Sequence, residues 1–272
     1  MDAHIFRAVV EALDRGDRAA LVTIVSTNGS TPQRVGAKML VFEDGRTAGT
    51  IGGGCYEHDA AGKAREALRL QRPRLVRYSL NDELAAESGL ICGGQMEVYI
   101  EPVEPAPDLY LIGGGHVSVE VARLALLVGF GVHVVDDREK FANAERFPGC
   151  EVVVDRIPEW LARAAIPAGA YIVVVTRGHR DDHEALRVLA RRDARYLGMI
   201  GSRAKVARIF EALHREGVPS ARLDQVHAPI GLDIGATTPA EIAVSIVAEL
   251  IAVRSGRDAD PRVAAATLRA AP

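Results

Sequence analysis

The sequence predicts an α/β protein in two parts, on three observations. From Asp108 onward, short continuous apolar segments (LYLIG, GVHVVD, EVVVD, YIVVVT, RYLGMIG) alternate with amphipathic stretches. Strands of that kind are buried on both faces, which places them in a parallel, doubly wound sheet. The first of them runs into Gly113-Gly114-Gly115 and then a helix, with Asp136 at the tip of the next strand; this is the order of a Rossmann-type domain. Residues before Asp108 lack the rhythm and read as an α+β domain, set off by Pro102, Pro105 and Pro107. The expected domains are 1–104 (N-terminal, α+β) and 105–272 (Rossmann-type).

In the first part, Ile5, Val9, Ala12 and Leu13 recur at helical spacing over 3–15. ALVTIVST (20–27) reads as a strand that breaks at Asn28-Gly29-Ser30-Thr31-Pro32. Strands at 38–42 and 46–51 flank Glu43-Asp44-Gly45, a hairpin turn. Gly52-Gly53-Gly54-Cys55 opens a helix to about Leu70, and strands follow at 75–80 and 95–102, the second preceded by Cys92-Gly93-Gly94. In the second part, helices are expected at 116–128, 158–165, 182–192, 203–216 and 239–253. The apolar stripe Ile242, Ile246, Leu250 on the last either pairs two copies into a homodimer or, the commoner use, packs on the sheet.

A net charge of −3 supplies no basic field to gather nucleic acid or anionic lipid. The acidic N-terminus lacks the basic start and apolar core of a signal peptide, and no apolar run spans a membrane. Cys55, Cys92 and Cys150 are too scattered for a disulfide framework, so a cytoplasmic protein with reduced thiols is expected.

Several segments carry chemistry. Gly113, Gly114, Gly115 and His116 let a phosphate approach the main chain at a helix start. Asp136, followed by Arg138, stands where an acid binds ribose hydroxyls, and Ser118 replaces the usual small third residue, which loosens helix–strand packing. Beyond the later strands lie Thr176-Arg177-Gly178-His179 and the anion-binding set Ser202, Arg203 and Lys205. His179 and His183, four apart, are metal ligands with His116 or, more often, capping groups. Gly53, Gly54 and Cys55 place a thiol at a glycine-rich helix start, where sulfur or metal chemistry is favoured; Cys92 is a second thiol beside glycines. For both, a small residue filling a tight turn is the bland alternative. Cys150 reads as structural. An NAD(P)-dependent oxidoreductase fits the second half but leaves the Cys55 loop without a task.

Read together, the segments resemble one family. They are G-S-T-P-x-x-x-G-A-K-M-L-V (29–41), I-G-G-G-C-x-E (51–57), C-G-G (92–94), I-G-G-G-H-V (112–117), V-V-D-D-R (134–138), T-R-G-H-x-x-D (176–182), G-M-I-G-S-R-x-K (198–205), P-I-G-L-D-I-G (229–235) and T-P-x-E-I-A-V-S-I-x-A-E (238–249). This order resembles the xanthine dehydrogenase accessory protein family of XdhC/CoxI type, with Gln33 where many relatives carry Arg. The resemblance implies a molybdenum cofactor chaperone rather than a catalyst. Such a protein binds molybdopterin, in its plain or dinucleotide form, and supports its sulfuration with a cysteine desulfurase. It then delivers it to xanthine dehydrogenase or a related molybdenum hydroxylase. On this reading Gly113, Gly115 and His116 line the phosphate site, and Cys55 faces the metal or its transferable sulfur.

Overall fold

The computed structural model describes residues 3–80 and 94–256, in two compact units, Met1–Pro105 and Ala106–Pro272. Cys92 lies outside the described residues.

Among the described residues the first unit is a five-stranded antiparallel sheet with a helix on each face. Its elements are α1 (Ala3–Asp14), β1 (Ala19–Asn28), β2 (Lys38–Phe42), β3 (Thr47–Gly49), α2 (Gly54–Leu70), β4 (Arg74–Ser79) and β5 (Gln95–Val103). The strand order is β3-β2-β1-β5-β4. Period-2 alternation sorts the core. Ala20, Val22 and Ile24 of β1, with Val98 and Ile100 of β5, pack under Ala60, Ala64 and Ala67 of α2. Ala19 and Leu21, with Leu40 and Phe42 of β2, cover Ile5 and Ala12 of α1.

The second unit comprises β6 (Asp108–Ile112), α3 (His116–Leu127), β7 (Gly131–Asp136), β8 (Glu151–Val154), α4 (Ile157–Arg163), β9 (Tyr171–Val174), α5 (His179–Leu189), β10 (Tyr196–Met199), α6 (Arg203–Arg215), α7 (Ser220–Leu223) and α8 (Pro239–Arg254). Every pairing is parallel and the order is β10-β9-β6-β7-β8. Leu109 and Leu111 face α3 and α8, while Tyr110 and Ile112 face the layer of α4, α5 and α6. This is the doubly wound Rossmann arrangement, in which strand order reverses between β6 and β9.

One boundary shifts, one short element is added, and one open choice resolves. Helix α5 starts at His179 instead of 182, because Gly178 forms its N-cap and Asp181 and Asp182 occupy its first turn, where carboxylates favour the helix dipole. The short α7 had no periodic signal. Ile246 and Leu250 are fully buried against the sheet, the commoner of the two uses expected for the stripe on α8. Among the described residues no helix is long and apolar enough to cross a membrane.

Candidate functional site: the carboxyl ends of the parallel strands

Ligands of open parallel sheets bind beyond the carboxyl ends of the strands, at the reversal of strand order. Here that point is floored by Gly113 and the β9 loop. Gly113 has φ +114°, and a Cβ there would lie 2.5 Å from the Val175 carbonyl oxygen. The next turn residue is equally tight, since a Cβ on Gly114 would meet the Phe141 carbonyl oxygen at 2.7 Å. Gly115 differs: it has ordinary extended geometry (φ −69°, ψ −176°) as N-cap of α3, and a Cβ would meet nothing within 4 Å. No side chain caps α3, and its first turn holds no acid among the described residues. The first-turn amides of a helix have no partner within the helix, so those of α3 open onto the crevice beside exposed His116.

The amides of the turn itself are already used. Gly113 N–H donates to the Val135 carbonyl (2.8 Å) and Gly114 N–H to Asp136 Oδ2 (2.8 Å). Asp136, 3% exposed, also accepts from the Arg138 amide (3.0 Å) and from Arg138 Nε (2.8 Å) and Nη2 (2.9 Å). Burial pushes this carboxyl up, but hydrogen bonds from Arg138 and from the Gly114 amide outweigh it and hold it below the usual carboxylate range. Arg138 stacks on Phe141 at 3.8 Å, and Arg146 Nη2 donates to the Gly114 carbonyl (3.2 Å). Asp136 and Arg138 thus clasp the turn and are not displayed to a ligand. Ser118, expected to loosen the packing, is buried and donates from Oγ to the Gly113 carbonyl at 2.5 Å, so its hydroxyl fastens helix to turn.

At the neighbouring strand ends, Ser202 caps α6 through the Lys205 amide (3.3 Å), and exposed Arg203 follows. Lys205 turns inward. Its Nζ pairs with Asp182, which is fully buried, and donates to the Ile200 carbonyl (3.2 Å); Thr176 Oγ1 donates to Asp182 Oδ1 (2.7 Å). The cation expected to meet a ligand anion therefore fixes the β9 and β10 loops. His179 is exposed at the start of α5. His183 Nε2 lies 2.9 Å from Glu216 Oε1, and no group of three or more His, Cys, Asp or Glu among the described residues gathers for a metal. The trio His116, His179 and His183 is not assembled.

In the first unit three motif loops converge at the far end of β1. A Cβ on Gly52 would lie 2.7 Å from Pro32, and one on Gly94 2.4 Å from the Ser30 carbonyl oxygen. The glycine loop before α2 wraps its own acid. Glu57 Oε2 accepts from the Ile51 (2.9 Å) and Gly53 (3.0 Å) amides and from Thr50 Oγ1. Burial raises this carboxyl, and the Thr50 hydroxyl with the Gly53 and Ile51 amides more than offsets it, so it lies below the usual range. Those amides are not vacant for an anion, as the glycine run had suggested. Gly53 retains open space above it, Gly54 is exposed, and Cys55 is half-buried at the edge of the core under α2. Cys150 packs on the core beside α3, and burial raises its thiol pKa.

A sequence model described as the XdhC Rossmann domain matches residues 109–250, and one described as the XdhC and CoxI family matches 12–79. The chain belongs to the XdhC family. It is 35% identical to the uncharacterized protein YqeB of Escherichia coli, over 93% of this chain and 46% of that protein, so it spans about half of that relative's length. It is 28% identical to the molybdenum cofactor insertion chaperone PaoD of Escherichia coli, over 94% of this chain and 90% of PaoD. A crystal structure described as a xanthine dehydrogenase from Bacillus halodurans shares the fold: TM-score 0.53, 24% identity, 93% of this chain and 96% of that one.

One cluster in this XdhC-family chain escaped the sequence reading. Glu249 of α8, 4% exposed, accepts from Gly231 N–H (2.8 Å) and Tyr196 Oη and lies 3.0 Å from His227 Nδ1. Burial raises the Glu249 carboxyl, while His227 and Tyr196 hold it below the usual range. The Tyr196 hydroxyl is pushed up by burial and by that carboxylate. Its members are up to 53 residues apart, beyond the reach of any local pattern.

Proposed function

We propose that this chain is a carrier for the molybdenum cofactor. It binds the molybdopterin form, supports its sulfuration together with a cysteine desulfurase, and hands it to xanthine dehydrogenase or a related molybdenum hydroxylase. The observation that carries the reading is Gly115: an open main chain at an uncapped, acid-free helix start, at the reversal point of the sheet. The family match and the name of PaoD support the same cargo.

The molybdenum cofactor supplies a phosphate anion, on its molybdopterin part, and a metal held by the dithiolene sulfurs. The amides at Gly115 and His116 suit the phosphate, since they present partial positive charge and no side chain keeps an anion away. A larger side chain at Gly115, where a Cβ meets open space, would obstruct that approach. Cys55 is assigned to the sulfur-handling step, on its thiol at a glycine-rich helix start in a loop cluster of the first unit. The oxidoreductase alternative loses its main support, because Asp136, the acceptor a ribose requires, already has both oxygens engaged.

The test is binding of purified molybdopterin to the parent chain and to Gly115→Val. Valine tolerates this backbone and meets open space, so the variant folds while covering the amides. Loss of a hydrogen bond to a charged group weakens binding about tenfold or more. An unchanged dissociation constant contradicts the placement. For the thiol, Cys55→Ser is expected to bind the cofactor normally but to release it unsulfurated; sulfuration at the parent level removes Cys55 from the account.

A further inference from the structure

The segment Pro229–Gly235 takes no part in the phosphate site, yet the molecule fixes it with unusual care. The Ile230 amide donates to the Met199 carbonyl (3.1 Å) and the Leu232 amide to the Ser245 carbonyl (3.3 Å). Ser245 Oγ returns a bond to the Leu232 carbonyl (2.6 Å), and the Gly231 amide is held by buried Glu249. Two glycines allow this seating. A Cβ on Gly231 (φ +93°) would lie 2.3 Å from Ser245 Oγ, and one on Gly198 2.5 Å from Ile230 Cδ1. A buried carboxylate is costly to desolvate, and here it anchors a loop.

What that loop presents is not core. Leu232 is 37% exposed and Ile234 54% exposed, with exposed Asp233 between them. Together with Arg203 and Val206 of α6 and Ile242 of α8 they line a cavity of about 480 Å³. That volume falls in the range of small-molecule sites, roughly 300–1,000 Å³. A rigid apolar wall with one carboxylate and one guanidinium suits a planar ring. Leu232 and Ile234 offer apolar surface for its faces, Asp233 an acceptor for an N–H edge, and Arg203 a donor for an acceptor atom.

We propose that the cavity between α6, the 228–236 loop and α8 binds the nitrogen-rich bicyclic ring of the cargo, with Asp233 pairing to its amino edge. This rests on the cofactor-carrier reading, and it adds a ring subsite apart from the phosphate position. The probe is free pterin (2-amino-4-oxopteridine), which carries no phosphate, titrated by its fluorescence into the full chain. Asp233→Asn, at an exposed position, is expected to weaken it about tenfold. Pterin that fails to bind the parent chain, or binds Asp233→Asn equally well, overturns the subsite. The carrier reading is judged separately, by molybdopterin binding to the parent chain, and the phosphate placement by molybdopterin on Gly115→Val. Loss there with pterin binding insensitive to Asp233→Asn removes the subsite alone. Pterin binding that depends on Asp233, with molybdopterin indifferent to Gly115→Val, keeps the ring subsite and removes the phosphate site.

Discussion

Two glycine positions in the Rossmann turn, Gly113 and Gly115, answer to different demands. Gly113 is required by the fold: its positive φ and the Val175 carbonyl at 2.5 Å exclude a side chain. Gly113→Ala is expected to cost about 1–3 kcal/mol, and Gly115→Ala close to nothing, in urea denaturation; equal losses at both contradict this division. Asp136 makes a pH-dependent contribution. Its folded-state pKa lies below the ordinary carboxylate value, so its stabilisation is present above about pH 4 and fades as pH falls through the folded-state value. Asp136→Asn therefore lowers the thermal midpoint near neutrality, and the deficit narrows in acid. A deficit that stays constant down to about pH 3 argues against a charged clasp. The Gly turn and Asp136 were legible in the sequence because their spacing is a local signature. That the acid would turn inward was not, since it depends on Arg138 and Phe141 closing over it.

At the level of elements, the strands and helices of the second unit followed from runs of apolar residues separated by amphipathic stretches. Their ends were harder to read. The polar string His179-Arg180-Asp181-Asp182 resembles a loop in sequence, yet Gly178 and the two acids make it a helix start. Likewise Gly52-Gly53-Gly54 resembles an open anion cradle until Glu57, from the first turn of its own helix, accepts the amides. Junctions between elements depend on pairs far apart in the chain. The Asp182–Lys205 pair joins α5 to α6 with its carboxylate fully buried. Removing only the cation strands that charge, so Lys205→Met is expected to lose about 3–5 kcal/mol, while Asp182→Leu combined with Lys205→Met recovers most of it. A double variant no more stable than the single one contradicts the ion-pair account.

The chain divides into two compact units, Met1–Pro105 and Ala106–Pro272. The second unit buries both faces of its sheet with its own helices, which predicts that residues 106–272 melt cooperatively as an isolated fragment. A fragment without a cooperative transition refutes that independence. The division also separates the chemistry: the thiol loop belongs to the antiparallel unit, and the helix start that fits an anion belongs to the parallel one. The account as a whole depends on the main chain at the start of α3. Amide chemical shifts of the 15N-labelled chain, followed as molybdopterin is added, address that point directly. The expected result is saturable shifts at Gly115 and His116, with Gly113 and Gly114, whose amides are already bonded, moving less. Saturable binding that leaves Gly115 and His116 unmoved contradicts it.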